Sequence, residues 1–136
     1  MLLLGDGDML RLGGASRFSL RFVRWYTIHE ENDTGFYRVA IHGYLCSLHD
    51  VDGREVLSFQ WHPAVSSPVI YPHFHLGTGA QIGRRELHGC HIPTGMIALE
   101  QVIRLAIEEL GVKSLRDDWD DVLREGQAAF EQRNPA

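Results

Sequence analysis

The chain has 136 residues, 44% of them hydrophobic and 23% charged, which fits one water-soluble domain, residues 1–136, around one buried core. No apolar run is long enough to span a bilayer, and the opening MLLLGDGD has too short an apolar stretch for a secretory leader. The formal net charge is −5, so the chain lacks the overall basic character of a protein built chiefly to hold phosphate backbones. The acidity is uneven. Residues 1–95 carry 8 basic and 9 acidic side chains, whereas residues 96–136 carry 5 basic and 9 acidic ones. Cys46 and Cys90 are the only cysteines and have no CxxC spacing, which points to reduced thiols and a cytoplasmic location.

Residues 1–16, MLLLGDGDMLRLGGAS, are broken by four glycines and read as a frayed segment or a short edge strand. From Arg17 the pattern changes to alternation. In RFSLRFVRWY, Phe18, Leu20 and Phe22 share one face, and Val23 and Trp25 join the other with Ser19 and Arg21. A polar turn over 29–35 leads to FYRVAIHGYLCSL, where period two puts Tyr37, Val39, Ile41 and Leu45 on one face and Arg38 and His42 on the other. HDVDG at 49–53 is a hairpin signal, because Asp-Gly accepts the positive φ that tight turns demand. REVLSFQWH answers it with Leu57, Phe59 and Trp61 on one side. After a Pro-Ser loop come VIYPHFHL, a glycine-rich turn and ELHGCHI, giving an antiparallel sheet of about five strands over residues 17–92.

Beyond Pro93 the period becomes 3.6. TGMIALEQVIRLAIEELG sets Leu99, Val102, Ile103, Ala106 and Leu110 on one stripe, with a start between Thr94 and Ala98 and Gly111 as C-cap. SLRDDWDDVLREGQAAFEQR forms a second amphipathic helix, with Ser114 as its cap, four aspartates near its positive end, and Trp119, Val122, Leu123 and Phe130 as its buried stripe. Strands first and two C-terminal helices last define an α+β domain with the helices packed on the sheet. Trp25, Trp61 and Trp119 read as core anchors.

Histidine is the compositional signal. There are eight, and His62, His73, His75, His88 and His91 fall within 30 residues. On a strand, His73 and His75 share a face with Tyr71, while Phe74 and Leu76 point to the other. That makes the pair an exposed polar face. His88 and His91 are three apart, so they converge only if Gly89 bends the chain or His91 already lies in the turn before Pro93. Three readings remain open. His-x-His is sound ligand geometry for zinc and related metals, with His62, His88, His91 or Glu86 to complete a set. Two imidazoles can also exchange protons at a phosphodiester, with Arg84 or Arg85 steadying charge. The third reading is a hydrogen-bonded polar sheet face without chemistry. The glycines of GTGAQIG lack the lysine and following helix of a nucleotide loop.

A strand ending in Asp-x-x-Gly, then FQWHP, then YPHFH and finally a helix resembles the TumE-type toxins of bacterial toxin–antitoxin pairs. The likeness spans about residues 36–110, and its short motifs correspond here to His62-Pro63 and Pro72-His73-Phe74-His75. It implies a growth-inhibiting protein that acts on RNA and is restrained by an antitoxin protein. The combined expectation is a metal-independent ribonuclease without a cofactor. His73 and His75 would be acid and base, His62 and His91 would support them, and Arg85 would stabilise charge. The alternative is a divalent transition metal such as zinc, held by His73, His75, His88 and His91 in a domain that works through a protein partner. An exposed sheet edge and two helices leave a homodimer open.

Overall fold

The computed structural model describes residues 1–5, 8–15, 17–63, 66 and 68–135. Among the described residues seven strands form one antiparallel sheet: β1 (Leu2–Leu3), β2 (Leu10–Arg11), β3 (Ser19–Glu30), β4 (Tyr37–His49), β5 (Glu55–Trp61), β6 (His73–Leu76) and β7 (Ile92–Pro93). The order across the sheet is β1-β3-β4-β5-β6-β7, and β2 pairs with β3 beyond β1. Helices α1 (Leu99–Glu108) and α2 (Trp119–Arg133) follow, so the α+β architecture is as the alternation and period change require. The two extra strands come from the glycine-broken N-terminal segment, parts of which add to the β3 edge. No helix among the described residues is long and apolar enough to cross a membrane.

The turn signals act as their chemistry predicts. Asp50 Oδ1 accepts from the backbone N–H of Asp52 and of Arg54, and Gly53 takes φ +78°, closing the β4–β5 hairpin. Gly77 and Gly79 serve packing. A Cβ on Gly77 would lie 2.1 Å from the Glu55 carbonyl oxygen, so the turn at 78–80 can lie on β5 only where the chain has no side chain.

One register break corrects the sequence-derived faces. Trp25 pairs with Gly43 but Tyr26 pairs with Ile41, so His42 is an extra residue in β4. The bulge moves Tyr37, Val39 and Ile41 to the face opposite Leu45. Val39 and Ile41 meet Phe130 of α2 around a shared cavity, while His42 turns to Thr27. Strict alternation had placed Leu45 with the first three residues.

The core sits between sheet and helices. Leu20 and Phe22 of β3 face Leu48 and Cys46 of β4, and Val102 of α1 closes the cluster, with Phe59, Leu99 and Leu110 around it. Cys46 is fully enclosed and its thiol is pushed up to about 12 by burial, so it packs and does not react. Arg24 also lies on this side, its guanidinium 5.1 Å from the Phe22 ring and 5.7 Å from the Phe130 ring.

The α1 helix starts where expected. Ala98 precedes it, and the Gln101 side chain accepts from the Ala98 N–H at 2.8 Å. The start of α2 differs. Ser114 bonds within its own turn, with its Oγ accepting from the Arg116 N–H, and α2 begins at Trp119 after Asp118. The aspartates at its start therefore belong to an ion-pair network in which Asp120 binds both Arg104 of α1 and Arg124.

Leu48 is 1% exposed at the centre of the core. Leu48→Ala should lower unfolding free energy by about 2–5 kcal/mol in a urea titration, and a loss under 1 kcal/mol would mean that this cluster is not the core.

Candidate functional site

The site is assembled on β6, the four-residue strand between β5 and β7. Phe74 pairs with Phe59 and Ile92, and Leu76 with Leu57, so these side chains belong to the helix-facing side. Alternation then sends His73 and His75 to the opposite side, His73 beside Gln60 and His75 beside Ser58. Their rings stand 4.9 Å apart. His91 joins from the position just before β7. Pro93 pairs with His73 and Ile92 with Phe74, so one further step of the register sets His91 opposite His75, and the two rings lie 4.5 Å apart. The remaining side of the triangle, His73 to His91, is 5.0 Å.

Among the described residues, the ligand-capable nitrogens of His73, His75 and His91 all lie within 4.8 Å of one another. Nitrogens bound to a common zinc ion at 2.0–2.1 Å stand roughly 3.4 Å apart in a tetrahedral site. Closing the set needs the nitrogen separations to shrink by at most about 1.4 Å, which side-chain torsions can supply. His73 Nδ1 donates to the Tyr71 carbonyl at 2.8 Å, which fixes its ring and leaves Nε2 for a ligand. His75 bonds with the Gly89 backbone. These are the outer partners that metal-binding imidazoles use, and they come from the residues flanking β6 and the turn before β7.

The face is less open than strand parity alone indicates. His73 is 5% exposed, with the Tyr71 ring against one side and the other two imidazoles close by, and Ser58 next to the site is 0% exposed. His75 is half-buried and His91 is exposed, so solvent reaches the cluster from the β7 side. Beside His75 a groove of about 460 Å³ also touches Glu55, Gln60, Thr78 and His88.

The other expected residues fall outside the triangle. His62 follows β5 and packs its ring 4.5 Å from Trp25, over Gly43, where a Cβ would come within 3.5 Å of His62 Nδ1. His88 is turned to the Ile82 carbonyl through Nε2 at 3.0 Å and borders the groove. Arg85 opens the short turn 85–87, exposed, and no hydrogen bond or ion pair joins its side chain to the histidines among the described residues. The chain does bend at Gly89, which has φ +72°, and this bend separates His88 from His91. Tyr71 and Gly89 act here through their backbones, a role that side-chain alternation does not reveal.

The remaining histidines mostly share the same sheet side. Thr27 Oγ1 lies 2.7 Å from Nε2 of both His29 and His42, and His49 Nε2 is 2.9 Å from Ser47 Oγ. These pairs are closed hydrogen-bond arrangements and satisfy the polar face away from the triangle.

Compared with models of known protein families, with curated proteins and with solved structures, the chain finds no match in any of the three.

His75 and His62 are both held below the ordinary imidazole range. Burial is the largest cause for each, followed by His91 and His73 for His75 and by His73 for His62. A histidine with a lowered folded-state pKa binds fewer protons folded than unfolded, so stability is lost as pH falls through the ordinary imidazole range near 6.5. The melting temperature of metal-free protein should drop from about pH 7 to about 5.5, and less steeply for His75→Ala. A flat profile in calorimetry would contradict the shifts.

Proposed function

We propose that His73, His75 and His91 bind one divalent transition metal of the zinc class, and that the protein uses this centre on a polar substrate in the adjoining groove. The observation that carries the reading is the grouping of the His73, His75 and His91 ring nitrogens within 4.8 Å of one another. A metal held by three histidines keeps a position for water or substrate, and at such a position it acidifies water and polarises carbonyl or phosphoryl oxygens. The protein's share is to hold the imidazoles in place. His73 is locked by the Tyr71 carbonyl, and burial keeps His75 in the neutral form that a ligand needs. On the groove side, Glu55, Gln60 and Thr78 offer a carboxylate, an amide and a hydroxyl to orient the substrate.

The ribonuclease implied by the toxin-like segments draws on the same histidines. General acid and base at a phosphodiester act on opposite sides of the reacting phosphorus. Rings grouped this closely, with no ion pair or hydrogen bond to an arginine or lysine side chain among the described residues, suit shared coordination better than two-sided proton transfer. An antitoxin partner and an RNA substrate stay attached to that alternative.

Purified protein, stripped with chelator and dialysed, should bind zinc at one ion per chain in calorimetry. His73→Ala, His75→Ala and His91→Ala should each weaken binding by at least the 10–100-fold seen for lesser perturbations of metal sites, whereas His88→Ala should leave it unchanged. Stoichiometry near zero, or affinity indifferent to all three substitutions, would refute the metal site. Cleavage of RNA by the chelated protein, lost in the His73→Ala, His75→Ala double variant, would replace it with the acid–base ribonuclease.

A further inference from the structure

An apolar cavity lies on the other side of the sheet, remote from the histidines. It has a volume of about 320 Å³ between the β3–β4 surface and the two helices. Leu20 and Leu48 form its floor, Val102 and Ala106 one wall, and Trp119 and Leu123 the other. The late start of α2 leaves residues 112–118 as an irregular connection across its mouth, anchored by the Lys113 N–H to the Gly13 carbonyl at 3.0 Å. Leu115 in this connection borders the cavity and is 96% exposed.

The charges around this cavity run against the charge of the molecule. The chain carries −5 overall and its last 41 residues are its more acidic part. Yet the charged side chains lining the cavity are Arg11, Lys113 and Arg116, with no acidic residue among the described lining. Arg116 is spent on Asp118, whereas Arg11 and Lys113 form no ion pair among the described residues. An apolar interior with unneutralised cations at its border is complementary to a molecule with a hydrocarbon body and an anionic end.

We infer that this cavity binds an anionic amphiphile, a straight-chain carboxylate with its alkyl chain between the helices and its head group at Arg11 and Lys113. The volume suits a small ligand, since small-molecule sites begin at about 300 Å³, and the cations at the border select one with an anionic end.

The test uses the full chain with hexanoate, octanoate, decanoate and decanol in titration calorimetry, below their aggregation limits. Decanoate should saturate at one per chain, with affinity rising about fourfold per methylene along the series, and decanol should bind more weakly. The double variant Arg11→Glu, Lys113→Glu lies on the exposed surface and should weaken decanoate by roughly fivefold or more without altering decanol. Ala106→Leu, which fills the cavity, should weaken both, with thermal melts reporting that the variant is folded. Absence of saturable decanoate binding would overturn the inference. So would decanol binding as tightly as decanoate, or no response to the charge reversal.

Discussion

Everything about the candidate centre depends on the two-sidedness of one short strand. β6 has four residues, and its alternation must satisfy two incompatible environments, an apolar one for Phe74 and Leu76 and a polar one for His73 and His75. A slip of one residue would turn two imidazoles toward the helices and a phenylalanine and a leucine toward the polar side. The register is therefore pinned by the hydrophobic pairings with β5 and β7, and the imidazoles inherit a geometry fixed from the opposite face. The helix-facing core serves as the rigid support of the site without touching it.

Much of the architecture was legible in the sequence because it follows from period. The change from alternation to 3.6 at Pro93, the Asp-Gly hairpin and the pairing of His73 with His75 each follow from local rules that the structure obeys. The missed features are non-local or break the period. The bulge at His42 is a one-residue insertion that alternation cannot reveal, and it changes the side of three hydrophobic residues. Ser114 satisfied the composition rule for a cap, but its hydroxyl found a partner two residues away and α2 began later. His91 rather than His88 meets the pair because β7 aligns with β6 at Pro93, a register between strands that alternation within ELHGCHI does not specify.

The two sides of the sheet divide the chemistry. One side gathers polar groups in closed pairs and one open triangle. The other gathers hydrocarbon, the aromatic-bound Arg24 and a cavity bordered by cations. The strands are shared, but the side chains are not, so substitution on one side leaves the other's first contacts in place. The irregular connection before α2 has the same logic. It enters α2 just before Asp120, which pairs with Arg104 of α1 and with Arg124 and so ties the two helices together.

The different fates of the two cysteines have a practical side. Cys46 is enclosed with its thiol far from ionisation, while Cys90 is exposed and immediately precedes His91. A thiol-reactive dye or spin label added to the native protein would attach at one place, next to the imidazole triangle. The wild-type chain thus contains its own attachment point for a spectroscopic reporter, and occupancy of the centre can be followed without introducing a foreign residue.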